Sequence, residues 1–240
     1  MNLKNKIAVV TGGSSGIGKA LCIALAKEGC KIVFTYNINE DGSNETLSKL
    51  GENGFKFKVD LQKDEEIKNL FDFVKGKFGK LDILINNAAN PSEYVPFETA
   101  TSEDLLKLLH VNTTSVMMCS KMAVKIMDEG KIINTSSIKG WEYGGGSVGY
   151  AVSKAGVNSF TRTFAKIVAP KILVNAIAPG YTKTRVYDSQ PEEKIKAWLG
   201  GTYLKKWVNM EDLINAYIFL LKNDSMTGQI IYVDAGFTLK

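Results

Sequence analysis

Residues 11–18 read Thr-Gly-Gly-Ser-Ser-Gly-Ile-Gly, and this short stretch decides the fold. An apolar run of strand type comes directly before it, and a helical pattern follows it. A glycine-rich turn between a strand and a helix is the setting of a dinucleotide phosphate site. Gly12 permits a turn with positive φ, Gly16 lets the backbone approach a pyrophosphate, and Gly18 lets the helix pack closely on the sheet. The helix N-terminus adds free N–H groups and a positive dipole, so the stretch predicts a dinucleotide site at the first strand–helix junction.

The same alternation of strand and helix patterns continues along the whole chain. Strand patterns cover residues 7–10, 31–36, 55–59, 81–85, 131–134, 172–177 and 229–233. Helical patterns cover residues 17–27, a short segment ending near 51–54, and residues 64–78, 102 to about 127, 150–168 and 210–221, while 181–208 is a loop with mixed helical signals. This alternation predicts an α/β fold, a Rossmann-type doubly wound parallel sheet of about seven strands with helices on both faces. Residues 55–59 alternate apolar side chains with lysine, as a half-exposed edge strand does, and residues 1–240 are expected to form a single dinucleotide-binding catalytic domain.

The composition favours a soluble globular protein over a nucleic-acid-binding or membrane protein. Of 240 residues, 45% are hydrophobic and 23% charged, and 30 Lys and Arg against 25 Asp and Glu give a net charge of +5. The lysines are scattered, which indicates a solvated surface rather than a nucleic-acid patch, and the mild positive excess suits an anionic cofactor. The 3 cysteines are isolated and there is 1 histidine, so no metal site is expected and the thiols are expected to be reduced in the cytoplasm. The apolar runs are too short to span a bilayer, and no signal-peptide core follows the N-terminus.

Two residues four positions apart, Tyr150 and Lys154, indicate proton-transfer chemistry. On a helix they lie one turn apart on the same face, and an ammonium group beside a phenol lowers the pKa of the phenol. Such a tyrosine can exchange a proton near neutral pH. The alternative is a packing aromatic beside a solvated lysine, because such pairs are common in helices. Ser137 and Asn112 are further candidates, with a strand-end cap and a satisfied polar side chain inside a helix as their alternatives.

Together these motifs resemble the short-chain dehydrogenase/reductase family. The spacing of the glycines in residues 11–18 departs from G-x-G-x-x-G and matches the TGxxxGxG motif of that family. The other matches are residues 86–89 (Asn-Asn-Ala-Ala, with Ala89 replacing a glycine), Asn112, Ser137, the Tyr150-xxx-Lys154 pair, residues 175–180 (Asn-Ala-Ile-Ala-Pro-Gly) and residues 233–236 (Val-Asp-Ala-Gly, similar to VDGG). The resemblance spans essentially the whole chain and implies an NAD(P)-dependent oxidoreductase that transfers hydride between a nicotinamide and a carbonyl or secondary alcohol.

The resemblance implies a role for each catalytic candidate. Ser137 and Tyr150 would bind the substrate carbonyl, with Tyr150 as the proton donor and the Ser137 hydroxyl as a second hydrogen bond. Lys154 would lower the pKa of Tyr150 and also hold the nicotinamide ribose. Asn112 would hold a water that links Lys154 to solvent in a proton relay.

The resemblance also implies a set of cofactor contacts. Thr182 and Thr184 would lie against the nicotinamide carboxamide, with an ordinary polar loop as the alternative. Asp60 would bond the adenine amine, cap the following helix, or do both. The expected cofactor contacts are Gly12, Ser14, Ser15, Gly16, Ile17, Gly18, Asn37, Asp60, Leu61, Asn87, Ala88, Tyr150, Lys154, Thr182 and Thr184.

The end of the second strand bears on the choice between NAD and NADP. An acidic residue about 20 positions after the glycines would bind the ribose 2′-hydroxyl and select NAD. Tyr36 and Asn37 stand at that place, and no carboxylate follows until Glu40. The missing acid favours NADP. Ser15 and Asn37 also occupy the positions of the arginine that often binds the 2′-phosphate, so NAD stays open.

Several carbonyl compounds are candidate substrates. The subgroup that the chain most resembles is the 3-oxoacyl-[acyl-carrier-protein] reductases, which makes an acyl thioester one candidate. Asp128 and Glu129 stand where basic residues usually meet the acidic carrier, and Lys171 is the only nearby candidate for such a contact, so carrier docking is weakened. Sugar, polyol, steroid and xenobiotic carbonyls, and a non-catalytic nucleotide sensor, are the alternatives. The intact Asn, Ser, Tyr and Lys set favours an enzyme.

The substrate pocket is expected to be aromatic. Its walls would include residues 141–143 (Trp-Glu-Tyr) and the loop 185–207, which carries Tyr187, Trp198, Tyr203 and Trp207, with core packing as the alternative. His110 is expected to be structural, because two positions from Asn112 on a helix is a different face. By resemblance, pairing of the long helices implies a homotetramer or homodimer.

Overall fold

A single parallel sheet organises the part of the chain that the computed structural model describes, namely residues 1–90, 97–141, 148–188 and 190–239. The strands are β1 (Ile7–Val10), β2 (Lys31–Tyr36), β3 (Gly54–Lys58), β4 (Ile83–Asn86), β5 (Gly130–Thr135), β6 (Ile172–Pro179) and β7 (Ile230–Val233). Their order is β3-β2-β1-β4-β5-β6-β7, with every neighbouring pair parallel. The doubly wound, seven-stranded fold predicted from the sequence is confirmed, and β3 lies at an edge as predicted.

The strand order reverses between β1 and β4, and this reversal positions the site. From β1 the chain moves outward to β2 and β3, then returns to the other side of β1 and moves outward again. In such sheets ligands bind in the crevice at the carboxyl ends of the strands next to the reversal. The loops after β1 and β4 therefore border the expected crevice.

Helices cover both faces of the sheet. They are α1 (Gly16–Lys27), α2 (Glu40–Leu50), α3 (Asp64–Phe78), α4 (Ser102–Leu109), α5 (Ser115–Ala123), α6 (Val148–Val168), α7 (Glu192–Gly200) and α8 (Met210–Lys222). Successive strand side chains point to opposite faces. In β1, accordingly, Ala8 and Val10 pack with α1 and α8, whereas Val9 packs with α3 and α5. None of the helices that the structure describes combines the length and apolarity needed to cross a bilayer.

The helix predicted from residue 102 to about 127 is helical from Ser102 to Ala123, but it is not a regular α-helix throughout. The segment divides into α4 and α5 around a π-helical turn, His110–Thr114, and α5 ends at Ala123. Within this turn the fully buried Asn112 side chain accepts a hydrogen bond from the Asn90 backbone N–H, at 2.8 Å. This contact joins segments far apart in sequence. We attribute the wide turn to it, because helical periodicity carries no signal for such contacts.

Two further segments differ from the sequence-based expectation. Helix α2 begins at Glu40, within the polar residues 37–44 that were expected to precede the short helix, because the Asn39 side chain caps it by accepting the Gly42 N–H at 3.1 Å. Helix α7 forms within the predicted loop 181–208.

Candidate active site

A cleft of about 780 Å³ opens at the carboxyl ends of the strands, at the reversal of strand order. Every cofactor contact expected from the sequence lines it, namely Gly12, Ser14, Ser15, Gly16, Ile17, Gly18, Asn37, Asp60, Leu61, Asn87, Ala88, Tyr150, Lys154, Thr182 and Thr184. Ser137 lines the same cleft, whereas Asn112 is not among the lining residues. The structure therefore brings together residues from the glycine turn, from the ends of five strands and from α6.

The glycine turn has a backbone shape that side chains would obstruct. Gly12 and Gly16 have φ values of +70° and +52°, in the region that favours glycine. A Cβ atom on Gly12 would lie 2.9 Å from the Ala88 Cα, and one on Gly18 would lie 2.1 Å from the Gly12 carbonyl oxygen. The turn can thus approach the end of β4 and the start of α1 only because these positions carry no side chain.

The N-terminus of α1 is left open toward the cleft. Ser15 occupies the N-cap position, but its side chain makes no capping hydrogen bond to any described group, and the first turn carries no acid. The first N–H groups of a helix have no partner within the helix and bind anions well. Together with the glycine cradle, this arrangement fits the pyrophosphate of a dinucleotide.

The glycine turn is also held from behind by α2, which the sequence did not indicate. The Asn39 Nδ2 donates to the Ser14 carbonyl at 3.4 Å, and the Thr46 hydroxyl donates to the Gly13 carbonyl at 3.0 Å. A Cβ on Gly42 would lie 2.4 Å from the Ser14 carbonyl oxygen, so α2 packs directly against the turn. These contacts hold the glycine turn against α2.

Lys154 is a buried cation at the floor of the cleft. It is 2% exposed, and its ammonium group donates to the Thr135 carbonyl at 2.8 Å. Burial lowers the pKa of Lys154 to about 8, because an ammonium group loses hydration there. The Lys154 Nζ lies 5.7 Å from the centre of the Tyr150 ring, and both residues line the cleft from α6. The alternative of a solvated lysine is therefore excluded by its burial.

Ser137 reaches the cleft from the end of β5. Its backbone is extended, with φ −164°, and its side-chain oxygen accepts the Lys139 N–H at 3.2 Å. No described residue accepts the Ser137 hydroxyl proton, so this group can donate into the cleft. Next to it, the Ser136 hydroxyl donates to the Asn158 Oδ1 at 2.6 Å, which ties the end of β5 to α6. This tie holds Ser137 near Tyr150 and Lys154.

Asn112 differs from the other catalytic candidates. Its side chain holds the Asn90 backbone from the π-helical turn and donates to the Ser153 hydroxyl at 3.3 Å. The Ser153 hydroxyl in turn donates to the Tyr150 carbonyl at 2.7 Å. Asn112 is thus linked to the Tyr150 backbone through Ser153, and its expected role in holding a relay water stays a prediction.

The end of the cleft at β2 and β3 contains the residues expected at the adenosine. Asn37 lines it, as does Ile38, which is 90% exposed. The Asp60 side chain accepts the Gln62 N–H at 3.0 Å, whereas the N-cap position of α3 is Lys63. The alternative that Asp60 caps this helix is therefore wrong, and its carboxylate instead closes a tight turn on the cleft wall.

Glu40, the first carboxylate after β2, does not line the cleft. The Tyr36 hydroxyl donates to its Oε1 at 3.4 Å, and the Lys56 ammonium lies 3.5 Å from the same oxygen. These partners, one of them on the adjacent strand β3, hold the carboxylate outside the cleft. Among the described residues, Asp60 is the only acid that lines it.

Most of the aromatic residues expected in the pocket pack on one another instead. The Trp198 ring stacks on Tyr181 at 5.5 Å, and the Trp207 ring meets Tyr187 edge-on at 5.0 Å. Among the described residues of the predicted aromatic wall, only Tyr187 lines the cleft. For Trp198 and Trp207 the core-packing alternative therefore holds within the described structure.

The remaining predictions for this region have separate outcomes. Trp141 is 61% exposed and packs edge-on against Tyr232, and it does not line the cleft. The expected pocket residues Glu142 and Tyr143 lie outside the described residues. His110 is also absent from the cleft lining, and its buried Nε2 has no hydrogen-bond partner among the residues described.

Arg185 lines the cleft but was not among the expected cofactor contacts. It follows Thr184 and opens a 3₁₀ turn, Arg185–Tyr187. The one feature of the sequence that could have indicated Arg185 is its position directly after Thr184, a predicted cofactor contact.

Comparisons with known proteins agree with this geometry. A family model described as enoyl-(acyl carrier protein) reductase matches residues 12–238. The 3-oxoacyl-[acyl-carrier-protein] reductase FabG of Vibrio cholerae is 31% identical, over 98% of this chain and 98% of that protein. The 3alpha-hydroxysteroid dehydrogenase of Mediterraneibacter gnavus is 34% identical, over 98% of this chain and 97% of that protein.

Solved structures show the same fold. A short-chain dehydrogenase/reductase from Serratia marcescens superposes with a TM-score of 0.93 at 28% identity, covering 99% of this chain and 100% of that chain. A short chain dehydrogenase from Burkholderia cenocepacia, solved in complex with NADP, also has a TM-score of 0.93, at 27% identity and 99% coverage of both chains.

Proposed function

Because this chain belongs to the short-chain dehydrogenase/reductase family of oxidoreductases, we propose that it transfers hydride between NAD(P) and a carbonyl or secondary alcohol. The observation that carries the proposal is the position of Tyr150 and Lys154. Both line the cleft from one face of α6, and Ser137 faces the same cleft from β5. A nucleotide sensor would need no proton donor at this point.

When bound in this cleft, a reduced nicotinamide would supply the hydride, and the side chains of the cleft would stabilise the charge that grows on the carbonyl oxygen. Tyr150 donates its phenolic proton to that oxygen. The Ser137 hydroxyl donates a second hydrogen bond, because its own oxygen is already occupied by the Lys139 N–H. In the oxidative direction, the Tyr150 phenolate accepts the hydroxyl proton of the alcohol, and the Ser137 hydroxyl keeps its hydrogen bond to the substrate oxygen.

Lys154 assists by its charge. With a pKa of about 8, it is mainly protonated at pH 7, so its ammonium group favours the Tyr150 phenolate that forms after proton donation. Asn112 would act through position, because its side chain reaches the Tyr150 carbonyl by way of Ser153. We propose that Lys154 also holds the nicotinamide ribose.

We propose NADP as the preferred cofactor. What supports this is the absence of an acid beside Asn37 in the described cleft lining, together with the ties that hold Glu40 against Lys56 and Tyr36. A 2′-phosphate beside Asn37 would meet no carboxylate from the end of β2, and the Asp60 carboxylate at the end of β3 is engaged by the Gln62 N–H. The NADP complex of the Burkholderia neighbour supports the same choice.

We propose a small carbonyl compound or an acyl thioester as the substrate, handled by residues 1–240 as one catalytic domain in a homodimer or homotetramer. The reductase from Vibrio cholerae supports an acyl thioester, and the steroid dehydrogenase supports a cyclic ketone, at nearly equal identity. Asp128 and Glu129 are exposed, and the N–H of the next residue, Gly130, bonds the Lys171 carbonyl, so acid and base stand side by side there. This mixed charge favours a free substrate over one carried by an acidic protein.

The test is a panel of ketones, aldehydes and acyl thioesters, assayed by the absorbance loss of NADPH and NADH, with Tyr150→Phe as the matched variant. The phenylalanine keeps the ring and removes only the proton donor. We expect turnover in the unaltered protein and loss of turnover in the variant. The two proteins should bind the same dinucleotide with affinities within about twofold of each other. An unchanged kcat in Tyr150→Phe would reject the proposed acid. Tight dinucleotide binding without turnover of any substrate would favour the sensor.

A further inference from the structure

The cleft has only two cationic side chains among its described lining residues, Lys154 and Arg185. Lys154 is buried at the floor, where it is committed to Thr135. Arg185 is exposed and has no ion pair or hydrogen bond from its guanidinium group to the described residues. The mechanism assigns it no role, although an unpaired arginine in a cleft is a strong anion-binding group.

The position of Arg185 is fixed by its neighbours. Thr184 stands directly across from the glycine turn, since a Cβ on Gly16 would lie 3.5 Å from the Thr184 Cγ2. The Tyr187 N–H bonds the Thr184 carbonyl at 3.0 Å, and the Tyr187 ring packs on Trp207 at 5.0 Å. The turn that carries Arg185 is thus anchored over the N-terminus of α1.

We propose that Arg185 binds the pyrophosphate of the dinucleotide from the side opposite the α1 N-terminus. This inference rests on the proposed function and adds a residue to it. The helix offers N–H groups from one side, and a guanidinium group can pair two phosphate oxygens from the other. The lining contains no other exposed cation in the described part of the chain, so neutralisation of the pyrophosphate depends on Arg185.

An anionic substrate group is the competing partner for Arg185. The close approach of Thr184 to Gly16 favours the pyrophosphate, because it places the start of this turn beside the phosphate cradle. The two partners make different predictions. A pyrophosphate contact affects every ligand that contains the pyrophosphate, whereas a substrate contact affects only the substrate KM.

The test compares Arg185→Ala, Arg185→Lys and a matched control, Lys183→Ala. Lys183 is exposed, lies two positions away, and does not line the cleft, so its loss changes the net charge equally. Dissociation constants are measured by calorimetry for NADP, for ADP-ribose, which keeps the pyrophosphate, and for adenosine, which has none. We expect Arg185→Ala to weaken NADP and ADP-ribose by about tenfold or more, since a hydrogen bond to a charged group contributes about that much.

The further expectations are that adenosine binding is unchanged, that Arg185→Lys recovers part of the affinity, and that Lys183→Ala binds all three ligands normally. Equal NADP affinity in Arg185→Ala and the unaltered protein would overturn the inference while leaving the proposed function intact. A raised substrate KM with unchanged dinucleotide affinity would also overturn it and assign Arg185 to a substrate anion. If the unaltered protein bound no dinucleotide, the proposed function itself would fail, and this inference with it.

Discussion

Replacing Lys154 by Met should remove a pH-dependent cost of folding. The side chain is 2% exposed, and burial lowers its pKa from 10.5 to about 8. That difference corresponds to about 3 kcal/mol of folding free energy at neutral pH, because each tenfold change in proton affinity is worth about 1.4 kcal/mol. The methionine fills a similar volume without a charge. Its loss of the hydrogen bond to the Thr135 carbonyl is a constant offset that does not depend on pH.

The direction of the pH effect follows from proton binding. Between pH 8 and 10.5 the unfolded chain keeps the Lys154 proton and the folded chain releases it, so the free energy of unfolding rises with pH in this window. Below pH 8 both states are protonated and the full penalty applies. From pH 7 to pH 9 the unaltered protein should therefore gain about 1 kcal/mol relative to Lys154→Met. For a chain of 240 residues this is a relative rise in Tm of about 3 °C.

The assay is thermal or urea unfolding of both proteins at pH 7 and pH 9, at equal protein concentration. The quantity compared is the difference in unfolding free energy between the two proteins, and the result is how much this difference changes from pH 7 to pH 9. Titrating groups distant from Lys154 cancel in this difference, including the buried thiols of Cys22, Cys30 and Cys119, whose pKa values are raised by burial. Tyr150, which lies beside Lys154, is taken out of the comparison by carrying Tyr150→Phe in both proteins. Lys166→Met is the control, because Lys166 is an exposed lysine on the same helix, and it should follow the unaltered protein. A stability difference between Lys154→Met and the unaltered protein that stays constant from pH 7 to pH 9 would refute the reasoning.

Two further predictions concern the cofactor. Gly16→Val should abolish dinucleotide binding in calorimetry, because the position has φ +52° and a Cβ there projects toward Thr184 at 3.5 Å. Normal titration in that variant would mean that the turn serves another purpose. Asn37→Asp should reduce kcat/KM for NADPH by about tenfold relative to NADH, because a carboxylate would repel the 2′-phosphate at that end of the cleft. An unchanged ratio of the two kcat/KM values would place the 2′-phosphate elsewhere.

Elements whose signals are local were predicted from the sequence with correct bounds. The strands Ile7–Val10 and Lys31–Tyr36 are apolar runs that end at turns, and Asp64–Phe78 is an amphipathic helix closed by Gly79 with a left-handed backbone. The glycine turn was predicted because the steric reason for each glycine lies in the local strand–turn–helix pattern. Family membership followed from several such motifs in order.

Features that depend on contacts between distant segments could not be predicted. The π-helical turn at His110–Thr114 contains the buried Asn112, whose Asn90 contact crosses 22 positions, so helical periodicity alone continued the helix. The Glu40 carboxylate lies outside the cleft, next to Lys56, because the pairing of β3 with β2 brings Lys56 to this position. Arg185 lines the cleft because the loop after β6 brings Thr184 beside Gly16 of the glycine turn. In each case both residues are visible in the sequence, but their contact in space is not.

The two cations described in the cleft differ in how much each one destabilises the folded state. Lys154 is buried where a charge destabilises the fold, and its place beside Tyr150 cannot be relaxed without separating the phenol from the charge that favours its ionised form. Arg185 is exposed, so its charge costs the fold little and meets an anion only when one enters the cleft. A buried cation must be positioned by the folded protein before any ligand arrives, and here the α6 backbone and the Thr135 carbonyl do this. Proton chemistry is therefore assigned to the rigid floor and ligand capture to the exposed rim, which is why Lys154→Met should change stability with pH while Arg185→Ala should change affinity.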